Sequence, residues 1–295
     1  MVRVTTPPAH PPQSPPAPPA PDRRTALRSG AALAAGTLTA GCSTAGAAAP
    51  PPTPTSTSPR PTDSHPATPT PTPGHGTATP TAPTAPTAPT PRTFPSQPAE
   101  ITHGPRTRPQ VALTFHGQGD PAIAASVLGE AEKAGARVTV LAVGTWLDEH
   151  PDIARRILDG GHDLGNHTLH HLDINSMPEA DADAEIRGCA DRLKRLTGSI
   201  GTWFRPSRTA RASPEVARLA RRAGYPHVLS YDVDSLDYTS PGALAVTRKV
   251  IGEVRNGSVV SLHFGYADTV TALPSLLHEL DRRGLRAVTT TELLS

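Results

Sequence analysis

Residues Asn166 to Ile174 read "NHTLHHLDI" and follow the short apolar run "HDLGN". His167 and His171 stand four apart in what reads as a strand-to-helix connection. That spacing lets both imidazoles point to one side and coordinate a metal in their neutral form. His170 is expected to turn away, and Asp173 to orient a ligand histidine as an outer acceptor. A histidine pair at this spacing is a weak signal alone, so its meaning depends on the chain around it.

Outward from this stretch, short apolar runs alternate with helical patterns over the whole C-terminal part of the chain. Strands are expected at 110–115, 137–144, 162–167, 202–208, 227–235, 258–264 and 286–293. Helices are expected at 121–134, 151–161, 178–197, 214–223, 242–255 and 270–283. Strands alternating with helices imply parallel strands joined by right-handed crossovers. About seven such units predict an α/β fold, a distorted (β/α) barrel. Polar residues gather at the ends of those strands: His116 and Asp120, His167 and His171, Arg205, then Asp232, Asp234, Asp237 and His263. In a parallel barrel these ends converge on one face, where sites form.

In these residues the chain resembles the polysaccharide deacetylase family, the NodB-like carbohydrate esterases (family 4), over residues 109 to 295. "HTLHH" matches the family's His-Ser/Thr-x-x-His metal motif at His167, Thr168 and His171. "FRPSR" matches its arginine motif at Arg205 and Pro206, without the usual glycine. "SYDVDSLDY" matches its Asp-x-x-Asp-Trp motif at Asp234 and Asp237, with Tyr238 for Trp. "VVSLHFG" matches its Leu-His-Asp motif at Leu262 and His263, with Phe264 for Asp. The resemblance implies a hydrolase that removes N-acetyl groups from a glycan, using a divalent metal, a base that takes a proton from water, and His263 as the acid that protonates the leaving amine. It places Arg205 and Asp237 with the catalytic residues and Leu262, Phe264 and Tyr238 with the substrate contacts, joined by Trp146 and Tyr231 as aromatic residues for sugar stacking.

The first motif departs from the family. "LTFHGQGD" (113–120) has His116 and Gly117 where the resemblance calls for two aspartates, the base and an anionic metal ligand. Three readings stand. His116 is a third imidazole ligand in a zinc-type site, with Asp120 swinging in as ligand or base; or His116 is itself the base; or the protein is an inactive glycan binder that keeps the groove.

The first third of the chain is different in kind. Of 36 prolines, 28 lie in residues 1–109, and Phe94 is the only aromatic residue there. Residues 1–42 are expected to be an export signal: Arg23-Arg24 before a weakly apolar run resembles a twin-arginine signal, and "TAGCS" resembles a lipoprotein cleavage site with Cys42 as the lipidated residue. Residues 43–108 are expected to be an extended Pro/Thr/Ala-rich linker. Any membrane contact would come through Cys42 alone, and Cys189 reads as an inert thiol inside a helix. The net charge is +2 and no basic stripe interleaved with aromatics is present, which argues against a nucleic-acid partner. A monomer is expected. These features together predict an exported deacetylase acting on cell-wall or extracellular N-acetylated glycan, peptidoglycan or a chitin-like oligosaccharide.

Overall fold

The computed structural model describes residues 88–295. The features expected at Arg23, Arg24 and Cys42, and most of the expected linker, lie outside the described residues. Eight strands are present among the described residues: β1 (Glu100–Ile101), β2 (Gln110–Gly117), β3 (Thr139–Ala142), β4 (Asp163–Asn166), β5 (Val228–Leu229), β6 (Val233–Asp234), β7 (Val259–His263) and β8 (Arg286–Val288). Between and after them run α1 (Pro121–Lys133), α2 (Gly144–Glu149), α3 (Pro151–Asp159), α4 (Glu179–Thr197), α5 (Pro214–Arg222), α6 (Ala243–Glu253), α7 (Ala267–Arg282) and α8 (Thr290–Leu294). Every ladder is parallel, in the order β4-β3-β2-β7-β6. β8 takes the lower part of β2's edge, and β1 pairs with β5. Phe204 bridges β4 to β5 through Asn166 and Val228, which carries the circuit round as a distorted barrel.

The central strand shows why the chain folds this way. Val111, Leu113 and Phe115 of β2 face the outer layer of helices, while Ala112 belongs to the cluster inside the barrel. Successive side chains of a strand point to opposite faces, so His116 falls on the inner face at the strand's C-terminal end. β7 repeats the pattern, with Val260 and Leu262 in the helix-facing core and Ser261 and His263 turned to the cleft. A third cluster packs α4 and α5 under Phe204 and Tyr225.

Several expected elements differ. The 202–208 segment makes single bridges rather than a strand, because it carries Pro206 and turns its groups toward the site. The 227–235 segment is two short strands interrupted at Asp232. Asp232 stays out of the cleft: its carboxylate accepts from Val259 N at 2.8 Å, Ser258 Oγ at 3.1 Å and Arg106 at 2.6 Å. The short helices α2 and α8 were not expected, being too brief to impose a period.

The expected linker ends earlier than residue 108. Phe94 is buried and stacks on Trp203 with ring centroids 5.5 Å apart. His227 accepts from Phe94 N at 3.0 Å and donates to Pro98 O at 2.8 Å. Ala88 N donates to Thr197 O, and Pro89 O accepts from Ser199 Oγ at 3.0 Å. A lone aromatic in a proline-rich run is here an anchor, burying apolar area against the barrel.

Cys189 is buried, and burial pushes its thiol up to about 12, as expected of an inert thiol. No helix among the described residues is long and apolar enough to cross a membrane.

Phe94→Ala should lower the unfolding free energy by about 3 kcal/mol in urea titrations, while leaving the cleft's ligand affinities at wild-type values.

Candidate active site and metal centre

The C-terminal ends of β2, β6 and β7, the loops that follow β4, β5 and β6, and the turn at 208–210 enclose a cleft of about 360 Å³. One loop and one strand set its metal-binding walls. Asn166 ends β4, and its side chain accepts from Thr168 N at 2.8 Å while donating to Ile186 O at 2.8 Å and Tyr225 Oη at 3.0 Å. The chain then turns through Thr168 (φ 69°) and His171 (φ 57°), left-handed conformations that residues with a Cβ rarely adopt. That turn brings His171 back beside His167. The second wall is β2, which presents His116.

His116, His167 and His171 each offer a ring nitrogen, and the three lie within 4.8 Å of one another. His167 Nδ1 donates to the Arg205 carbonyl at 3.0 Å. That bond assigns the proton to Nδ1 and the lone pair to Nε2, which is buried with no hydrogen-bond partner among the described residues. A buried, aimed and unpartnered imidazole nitrogen is what a metal ligand looks like before its metal. Burial pushes His116 and His167 well below the usual imidazole range; His171 is pushed down to about 4, mainly by burial and then by the Arg208 and His263 charges. Three neutral imidazoles fit a divalent metal of zinc type.

His116 is held differently from the other two. Its Nε2 lies 3.2 Å from Arg205 Nη1 and 3.1 Å from Ser261 Oγ. A guanidinium only donates, so Nε2 accepts and the neutral ring carries its proton on Nδ1. His116 is therefore a nitrogen engaged by a cation, and it can join a metal only by giving up that contact. It is not a free base either. Arg205 is fully buried and also donates to Leu229 O at 3.0 Å and Ser230 O at 3.1 Å.

At the opposite wall, Asp237 is buried and accepts from His263 Nδ1 at 2.7 Å, His263 N at 2.8 Å and Thr269 Oγ1 at 2.6 Å. The bond to Nδ1 fixes the tautomer that leaves His263 Nε2 as the proton-accepting nitrogen at the cleft. The ring lies 4.3 Å from His116, centroid to centroid.

Other expected residues lie elsewhere. Asp120 is exposed and caps α1, its carboxylate accepting from Ala122 N at 2.8 Å. It does not line the cleft, because a turn residue followed by Pro121 serves as a helix cap first. Asp173 accepts from Ser176 Oγ at 2.7 Å instead of orienting a ligand. Trp146, Leu262 and Phe264 are core residues: the Trp146 indole donates to Gly119 O at 2.8 Å, and Phe264 stacks on Phe115. Tyr231 and Tyr238 do line the cleft. Gln118, Arg208, Ser261 and Tyr266 also line it and were not anticipated; the period of two along β7 from His263 would have found Ser261.

Gly117 has a steric cause. A Cβ there would stand 2.9 Å from Val140 Cγ1 and 3.1 Å from Ala142 Cα, because β2 keeps its ladder with β3 through the Gly117–Ala142 pair. A carboxylate at this position has no room in the present register.

The chain is 30% identical over 194 residues to a peptidoglycan-N-acetylglucosamine deacetylase of Bacillus cereus, covering 64% of this chain and 90% of that protein. It is 27% identical to a chitooligosaccharide deacetylase of Bradyrhizobium sp., over 59% of this chain and 85% of that protein. The solved structure of a peptidoglycan N-acetylglucosamine deacetylase superposes with a TM-score of 0.62 at 25% identity, covering 66% of this chain and 92% of the other. A family 4 carbohydrate esterase pseudoenzyme from Bacillus anthracis superposes with a TM-score of 0.64 at 22% identity, over 68% and 70% of the two chains, a likeness of fold. A family model described as polysaccharide deacetylase matches residues 103–228, the stretch that holds the imidazole cluster and its arginine. With these motifs in order around one cleft and nine-tenths of the Bacillus cereus relative spanned, the chain belongs to the polysaccharide deacetylase family.

Proposed function

We propose that this protein is an exported, metal-dependent N-deacetylase of peptidoglycan or a chitin-like N-acetylated glycan. The observation that carries the reading is the buried, unpartnered Nε2 of His167 beside His116 and His171. His167 and His171 would hold the metal, with His116 completing the set once its contact with Arg205 opens. Bound there, a divalent metal supplies Lewis-acid polarisation of the acyl carbonyl and a more acidic water.

The chain's own residues supply the proton transfers. No carboxylate stands in the imidazole group, and His116 Nε2 is engaged. His263, oriented by Asp237, is therefore the group that takes the proton from the attacking water. As the carbon–nitrogen bond breaks, the same imidazolium returns that proton to the amine nitrogen, leaving acetate and a free amino sugar. Asp237 stabilises the transient positive charge. Tyr231 and Tyr238 offer sugar-stacking faces, and Tyr238 stands 44% exposed at the rim.

A second reading has its own support. Arg205 occupies the His116 nitrogen, and Gly117 has no room for a carboxylate. A protein with such a site, failing to take up metal, would be a glycan binder on the same fold. Zinc content and acetate release from N-acetylglucosamine oligomers decide between the two. The hydrolase reading expects one zinc in the wild type, zinc lost in His167→Ala and His116→Ala, and zinc kept in His263→Ala with kcat lowered roughly 10²- to 10⁴-fold. A metal-free wild type that releases no acetate supports the binder.

Acid provides an independent check. The unfolded chain's histidines take protons near pH 6.5, whereas His116, His167 and His171 stay neutral well below that when folded. Between those values the unfolded state binds more protons, so stability falls as pH falls. Metal-free protein should lose melting temperature from about pH 6.5 downward, with the His171 share complete near pH 4. His171→Asn should flatten that slope.

Export through Arg23-Arg24 and lipid anchoring at Cys42 belong to the same proposal, supported by the sequence pattern and by relatives named for peptidoglycan. Replacing both arginines with lysine should leave the protein inside the cell on fractionation.

A further inference from the structure

The turn that carries His167 and His171 contains two residues in left-handed conformations, Thr168 and His171. Such a turn persists only where its surroundings over-determine it. Most of its fastenings are neutral, among them Thr168 N on the Asn166 side chain, Thr168 Oγ1 on Ser207 Oγ at 3.0 Å, Gly144 N on Thr168 O and Thr145 N on Leu169 O at 2.9 Å each, and Leu169 seated where Gly144 and Gly188 leave space. One is a carboxylate. Glu185, buried in the middle of α4, accepts from His170 N at 2.8 Å through one oxygen and from His170 Nδ1 at 2.6 Å through the other.

We propose that Glu185 is a positioning residue for the metal-holding histidines, acting through His170. Both of its bonds land on the residue immediately before His171 and three after His167. A two-point clamp on one residue fixes the rotation of its peptide as well as its place, and the next φ is that of His171. Burying a carboxylate on a half-exposed histidine is a poor way to stabilise a fold, since the charge is desolvated for two hydrogen bonds. As a brace it has a clear use: it holds the His171 ring beside His167 before a metal arrives, so that ordering the turn is not charged against binding. The neighbouring residue of the same helix, Ile186, receives the Asn166 side chain through its carbonyl, so one turn of α4 braces both ends of the metal loop.

This inference rests on the metal-site reading above, and zinc titration of the full chain by calorimetry separates the two. His170→Ala removes the ring bond from a side chain that is 53% exposed and leaves the buried carboxylate with one partner, so the metal-free melting temperature should fall modestly, while zinc binding weakens about 10-fold, within the range usual for outer partners of metal ligands. His170→Asn, whose amide can donate where Nδ1 does, should restore most of the affinity. Glu185→Gln, which turns a donor toward one of the two N–H groups, should weaken zinc binding more than His170→Ala. Zinc affinity equal to wild type in His170→Ala and Glu185→Gln, or a loss in His170→Ala that His170→Asn does not recover, overturns the role of Glu185 and leaves the metal site standing. A wild type that takes up no zinc overturns both.

Discussion

The buried Arg205 guanidinium is the point on which the site is hung. Its backbone N–H donates to Asn166 O at the end of β4, and its carbonyl fixes the His167 tautomer. Its side chain reaches the carbonyls of Leu229 and Ser230 and the ring of His116, and it lies over the Tyr231 ring at 5.4 Å. One residue thus ties β2, β4 and the end of β5 together. Among the described residues no carboxylate touches it, and burial lowers it to about 10, still fully protonated at neutral pH. A cation desolvated this far demands acceptors, and the carbonyl ends of the strands are the acceptors at hand. The arrangement that satisfies the arginine is also the one that sets His116 and His167 in place.

Much of this could be read in the chain beforehand, and the reason is periodicity. Strand ends carrying His116, His167 and His263 are local features, visible because one residue in two along a strand faces inward. The parallel order followed from alternation of strand and helix. What could not be read depended on where a side chain spends its hydrogen bonds. Asp120 looked free to enter the cleft, but the helix beginning at Pro121 had the nearer N–H groups. Trp146 and Phe264 looked like sugar-stacking faces, yet they fill the layer between barrel and helices. Phe94 looked like a stray aromatic in a spacer until Trp203, more than a hundred residues later, was found beneath it. Glu185 stood out in no pattern, being one acid in a helix that displays several.

The altered first motif shows how a site answers a lost charge. With no aspartate at 116 or 117, the group that could gather a metal is made of uncharged rings, and Arg205 reaches an imidazole, that of His116. Each ring is kept neutral by its burial, so the site remains compatible with a cation. Among the described residues, the carboxylate bonded to a histidine of the cleft is Asp237, and it is already committed to His263.

The segment from Ala88 to Pro98 packs at the foot of the barrel, against Thr197, Ser199 and the face of Trp203, while the cleft opens at the other end of the strands. The first described residues and the cleft thus lie at opposite ends of the strands, so the contacts that seat Phe94 can change without touching the groups that line the cleft.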